Sequence, residues 1–484
     1  MLLAASLVTA AFLGCSSAHD APVVEYPDAG SPEDGPKGDA AAGPLADADA
    51  AAADGALPVT AKQLLTGSVF IEGVTSDGSL AFDDGKDVKV WPAGAAGPVT
   101  VVADYDPGFD SLLIRGRFVA AWLGNATGAL PLTLWAKTGG VQTVAPLTYR
   151  DSIYPKNAAD DFAYTAPAGD ILHRNVWATA AGQGAGTKIV ASLDMGLTNA
   201  QCRPTITWTM AALLVAGCAN GATTARVGVY ALDGSGLTAT VLDASAPGLW
   251  PNRARTQALV QTTTSSSIRA LAGGSAAVPL DGPVKQALFS ADDAKVVFLH
   301  NDGKVKRAAT TAPAAPVELL GAALSVLAMS PDARFTVVAT TGDVAKASSD
   351  LVLCDATTPG ITRTLAAGTA ALMGLSASGT HAVWLADRGL GLEGTLYAAL
   401  LPSGVPQKLS VLASRVTLDG DVVYWQEFDH VAKSNVLKAA HFTTAAASVV
   451  QIAQGLDALT AHTVVVGKNL FVASKLGLWQ YPAQ

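Results

Sequence analysis

The residues best suited to chemistry in this 484-residue chain are four cysteines and seven histidines, and their spacing decides what each can do. Cys15 follows Gly14 at the end of an apolar run, with no second cysteine near it. Cys202 and Cys218 flank a segment that reads as a hairpin centred on Met210. That centre sets the two directly opposite each other, where cross-strand Cβ atoms are about 4.5–5.5 Å apart and slight relaxation lets the sulfurs bond. In an oxidising, exported setting a disulfide is the expectation, and two buried free thiols are the alternative. The histidines (His19, His173, His300, His381, His430, His441 and His462) never fall within metal-ligand spacing of one another, so each is expected to be a surface or strand residue. "GLGLEG" at 389–394 matches a dinucleotide-binding pattern, which needs a strand before it and a helix after it. Here "TLYAALLPSG" follows and Pro402 cuts it off, so a glycine-rich hairpin between two strands is expected instead. There is no Gly-x-Ser-x-Gly, His-Glu-x-x-His, Walker or Cys-x-x-Cys pattern. The sequence therefore points to no catalytic residue, metal or cofactor.

The elements that would carry these residues are short. From Val59 onward, brief apolar runs alternate with Gly, Pro, Asp and Ser, an all-β texture. One pattern recurs, two or three apolar residues leading into a larger one: "VKVW" to Trp91, "LTLW" to Trp135, "RNVW" to Trp177, "VGVY" to Tyr230. Weaker copies end at Cys354, Tyr397, Lys438 and Trp479, with faint ones at Ala270 ("SIRA") and Arg307 ("KVKR"). In this scheme Cys354 stands where other copies carry Trp or Tyr, so it reads as a small core hydrophobe. The ten positions are about 43 residues apart on average, and a period of roughly 40–45 residues with several strands per unit is the signature of propeller blades.

Three units are more explicit: "LFSADDAKVVFLHNDG" (288–303), "AMSPDARFTVVATTGD" (328–343) and "GLSASGTHAVWLADRG" (374–389). These resemble the Ser-Pro-Asp-Gly-Lys turn and following strand of TolB-type, WD40-like propeller repeats, which implies four-stranded blades around a channel. One ring of eight to ten blades is expected, with two smaller rings or a pair of β-sandwiches as alternatives. In the well-formed units a Gly- or Pro-marked turn and a fourth strand follow the repeat, as in "GPVTVV" after Trp91. After Trp479 only five residues remain. The missing strand is expected from the other end, with Val59–Leu65 pairing antiparallel to the strand around Leu476–Trp479. An open edge would leave a row of unpaired N–H and C=O groups.

Residues 2–13 are apolar, too short to span a bilayer and suited to a signal-peptide core. The run ends in Phe12-Leu13-Gly14-Cys15, which resembles the lipobox of bacterial lipoproteins. The resemblance implies that residues 1–15 end at a lipidated Cys15, and Ser16 after it leans towards the outer membrane. The alternative is an ordinary secretory signal. Asn125-Ala-Thr127 fits a glycosylation sequon, for which a bacterial lipoprotein has no expected use. Residues 16–58 carry nine acids against Lys37 alone, in a background of Ala, Gly and Pro, and are expected to form a disordered linker. As a flexible coil such a linker reaches roughly 35 Å. The remaining body, 59–484, balances 30 bases against 31 acids and has no basic field for nucleic acid. The expected role is a protein-binding or assembly platform in the cell envelope, anchored to the outer membrane. The alternative is an enzyme or small-ligand binder at the channel mouth.

Overall fold

The computed structural model describes residues 61–482, except 109, 125–128, 150–151, 157–159, 171, 181–182, 184–185, 200–201, 220, 244–247, 263, 273–275, 312–314, 344–347, 388–392, 432, 443–446, 457–461, 467 and 475. The expectations for Cys15, His19 and residues 16–58, for Asn125, and for most of the glycine-rich stretch fall outside them. The described residues form 38 strands joined by turns, and every strand pairing is antiparallel. They group into ten blades of four strands. Blades 1 to 6 span 70–102, 111–148, 153–194, 205–243, 248–280 and 284–320. Blades 7, 8 and 9 (325–370, 371–413 and 414–456) run together, because Thr362–Leu375 and Pro406–Asp419 each serve as the last strand of one blade and the first of the next. Blade 10 takes three strands from 462–482 and its fourth from Lys62–Thr66.

Packing shows that these blades make one ring. Ten apolar clusters each join two neighbouring blades, and the last, with Ala473 and Leu478 against Leu80 and Phe82, joins blade 10 to blade 1. First strands of successive blades approach one another, as Phe70–Val74 does with Ser111–Arg115 and His462–Val466, so they line the channel. The second strand of a blade is covered on both faces. Phe118–Trp122, Leu213–Gly217 and His381–Ala386 are buried throughout and read as unbroken apolar runs rather than alternating ones. The ten repeat positions found in the sequence all fall on third strands, from Val88–Trp91 to Gly477–Pro482. Even the polar copy "KVKR" does so, because Lys306 is buried there with its ammonium 2.6 Å from Asp281.

One turn device links first and second strands in five blades. A hydroxyl or amide side chain opens the turn (Thr75, Asn252, Ser290, Ser330, Ser376) and accepts from backbone N–H groups four or five residues on, as Ser330 does from Phe335 N at 2.9 Å. The fourth residue of each turn has positive φ: Gly78, Arg255, Asp293, Ala333 and Gly379. These turns also bond across the ring, with Ala291 N donating to Pro331 O at 2.8 Å and Ala377 N to Gly420 O at 2.8 Å.

The expected closure is present: Lys62, Gln63, Leu65 and Thr66 pair with Gln480, Trp479, Leu478 and Gly477. Blades 9 and 10 are also joined by a buried polar contact. Gln426 of blade 9 donates to Thr463 of blade 10 at 2.9 Å and accepts from Asn435 at 2.9 Å. Gln426 is fully buried, so both bonds are made away from water.

The hairpin register differs from expectation by one residue. Thr209 and Ala212 close a four-residue turn, so the midpoint lies between Met210 and Ala211, and Thr205 pairs with Ala216. Cys202 and Cys218 sit just beyond the ladder, where Pro204 has no N–H to donate. Their Sγ atoms are nevertheless 2.02 Å apart, at disulfide distance, with Cα atoms 4.9 Å apart.

Candidate functional site

In a four-stranded meander the turns between first and second strands, and between third and fourth, lie on one face of the ring. The other connections lie on the opposite face. On the first of these faces, three consecutive first-to-second-strand turns (blades 3, 4 and 5) enclose a cleft of about 270 Å³. Blade 3 supplies Pro155 and Lys156, blade 4 Trp208, Thr209 and Met210, and blade 5 Arg253, Ala254 and Arg255.

Each side chain is held for a stated reason. The Trp208 indole is 3% exposed and donates through Nε1 to Tyr154 O at 2.8 Å, which ties the floor to blade 3. The Lys156 ammonium lies 5.6 Å from the centre of that indole and 3.4 Å from Asp161 Oδ2. The Thr209 hydroxyl is engaged in its own turn, accepting from Ala212 N at 2.9 Å. Met210 projects from the turn tip, 69% exposed.

The blade 5 turn is held from two sides. Asn252 Oδ1 accepts from the N–H groups of Thr256 and Gln257 at 3.0 Å each. From the next blade, Asp293 accepts from Arg253 N and Ala254 N at 2.8 Å each. That carboxylate is thus engaged by backbone N–H groups of the turn. Arg255 has φ 60°, in the position that Gly78 and Gly379 fill in other turns, a conformation costing a non-glycine residue about 1 kcal/mol or more. Its guanidinium donates to Thr207 Oγ1 at 2.8 Å, and burial lowers its pKa. Among the described residues no carboxylate forms an ion pair with Arg253 or Arg255. The cleft is therefore a local excess of positive charge beside an indole and a thioether, an arrangement that holds a carboxylate and an apolar side chain together.

The sequence signalled none of these residues. A chain with 15% charged residues carries "WPNRART" with two arginines, and that is the sign that could have pointed here. The residues singled out in the sequence do not converge. Cys354 is buried among the apolar residues between blades 6 and 7, and burial pushes its thiol up to about 11. His381 stacks on Phe442 and His430 packs edge-on against Phe428, while His173 sits 2.9 Å from Asp170. Among the described residues no three His, Cys, Asp or Glu side chains gather to hold a metal. The glycine-rich stretch leads into the strand Gly394–Leu400, not a helix, so the context for a dinucleotide site is missing.

No protein family's sequence profile matches the chain, and no curated protein does. Among solved structures it is similar to a eukaryotic initiation factor, at 13% identity and TM-score 0.48, over 75% of this chain and 91% of that one. It is also similar to the β-propeller domain of Myceliophteria thermophila Cps50 (Swd1), at 13% identity and TM-score 0.28, over 56% and 94%. A third is a mitotic checkpoint complex, at 15% identity and TM-score 0.31, over 58% and 92%. With their own sheet order and closed circuit of packed blades, the described residues form an all-β propeller with ten blades.

Proposed function

We propose that the chain is an exported protein, held at the bacterial outer membrane by lipid on Cys15, whose propeller binds another protein in the cell envelope. Leu13-Gly14-Cys15 supports the address, and the acidic residues 16–58 give the propeller reach from the membrane. The observation that carries the binding role is the cleft built by three successive turns. Lys156, Arg253 and Arg255 gather there around Trp208 and Met210. Such groups bind charged and apolar side chains. Aromatic and Arg side chains are also those that dominate protein-binding hot spots.

Photo-crosslinking in cells tests the reading. A photoreactive amino acid at Met210 should give a discrete adduct with one protein. The same group at Leu197, exposed on the connection between blades 3 and 4 at the opposite face, should not. Equal adducts from both positions, or none from Met210, would overturn it. Metabolic labelling with an alkyne fatty acid tests the anchor. Wild type should take the label, and Cys15→Ser should lose both label and membrane fraction.

A further inference from the structure

We infer that the cleft between the blade 3, 4 and 5 turns recognises an acidic, apolar segment of its protein partner: a carboxylate held by Arg253 and Arg255, with a neighbouring aromatic or aliphatic side chain against Trp208 and Met210. This rests on the binding role proposed above and names what the bound segment must carry.

Four observations lead to it. The body of the protein is close to neutral, yet this cleft gathers three cations, and among the described residues only Lys156 of the three forms a side-chain ion pair. The nearest acid of the adjoining blade, Asp293, holds the Arg253 and Ala254 backbone rather than either guanidinium. Arg255 occupies the left-handed turn position that Gly78, Asp293, Ala333 and Gly379 fill elsewhere, and there its guanidinium donates to Thr207 while lining the cleft. Finally, the volume of about 270 Å³ is just below the about 300–1,000 Å³ of small-molecule sites and suits one or two side chains of a peptide. The planar guanidinium groups favour a carboxylate, which they bind in bidentate fashion.

The test uses the full chain and fluorescence anisotropy. The probe is a fluorescein-labelled, amidated Glu-Phe-Glu-Phe peptide, with Gln-Phe-Gln-Phe and Glu-Ala-Glu-Ala analogues. The acidic aromatic probe should bind saturably, and both analogues should bind about tenfold more weakly. Raising salt should weaken the acidic probe, since an exposed ion pair is screened. Arg253→Glu should weaken it about tenfold or more, equivalent to about 1.4 kcal/mol. Arg255→Gly should weaken it similarly while shifting the melting temperature by no more than about 1 °C, because relief of backbone strain offsets the lost hydrogen bond to Thr207. That pairing separates lost recognition from lost folding.

Absence of saturable binding, equal binding of the Gln analogue, or unchanged affinity in both arginine variants would overturn the inference. If the Met210 crosslink persists in Arg253→Glu and Arg255→Gly cells, the platform stands and carboxylate recognition falls. If the crosslink is absent from wild type, the platform itself falls.

Discussion

Replacing one glycine should open the ring. Gly477 has φ 145° and pairs with Thr66 of the closing strand. A Cβ built on it meets the Leu65 carbonyl oxygen well under 3 Å away, and that oxygen is backbone, so no rotamer change can relieve the clash. In Gly477→Ala the closing strand must therefore separate at Leu65–Leu478 and Thr66–Gly477, half of its four register pairs. Two ladder hydrogen bonds at about 1 kcal/mol each, part of the Leu65 packing at about 1 kcal/mol, and positive-φ strain of similar size give about 3–4 kcal/mol. Gly94→Ala is the control. Gly94 also has positive φ, at 81°, but nothing lies within 4 Å of its would-be Cβ, so it should cost only the strain, about 1 kcal/mol. At about 2.1 cal/mol/K per residue, a ring of this length unfolds with an entropy near 0.9 kcal/mol/K, so the expected losses in melting temperature are about 3–5 °C and about 1 °C. Hydrogen–deuterium exchange adds a local reading, in which amides of Lys62–Thr66 should lose protection in Gly477→Ala alone. If Gly477→Ala costs no more than Gly94→Ala and exchange at Lys62–Thr66 is unchanged, closure by that strand contributes nothing and the reasoning fails.

Three further outcomes follow. Non-reducing peptide mapping of the native protein should recover Cys202 linked to Cys218, and replacing both by Ala should lower stability by up to about 3 kcal/mol. Iodoacetamide at pH 8 should leave native Cys354 unmodified, because burial holds its thiol at about 11 and the thiolate is the reactive form, and should label it once the chain is unfolded. Burial alone would raise the pKa of Glu427, but hydrogen bonds from Lys438, Ser410 and Trp425 more than offset it and hold the carboxyl below its usual range. Its stabilising contribution is therefore complete above about pH 4.5 and is lost as pH falls through the depressed folded value, so Glu427→Gln should flatten the acid limb of urea midpoints measured from pH 7 to 3.

The sequence showed the architecture where burial writes it, and was silent where geometry assembles it. Trp91, Trp135, Trp177, Tyr230 and the other repeat positions were legible because each third strand ends its apolar run on a large side chain that is buried or half-buried in the ring. Ala270 and Arg307 were faint because their strands carry polar side chains, the ion-paired Lys306 among them. Closure was legible from a missing fourth strand at one end and a spare one at the other. The cysteine register came out one residue off, because the Thr209–Ala212 turn places its midpoint between two residues and no residue pattern marks that. The cleft was illegible for a different reason. Lys156, Met210 and Arg255 belong to three separate blades, and only the shared position of their turns brings them together.

The most direct test of the whole account is an experimental structure of the full chain with the Glu-Phe-Glu-Phe peptide. It should show ten blades in one ring, Lys62–Thr66 paired beside Gly477–Pro482, and the peptide on the face of the first-to-second-strand turns. There a carboxylate should lie within hydrogen-bond distance of Arg253 and Arg255 and a ring should rest against Trp208 and Met210. Two smaller rings, an unclosed ring, or the peptide seated in the channel or on the opposite face would contradict it.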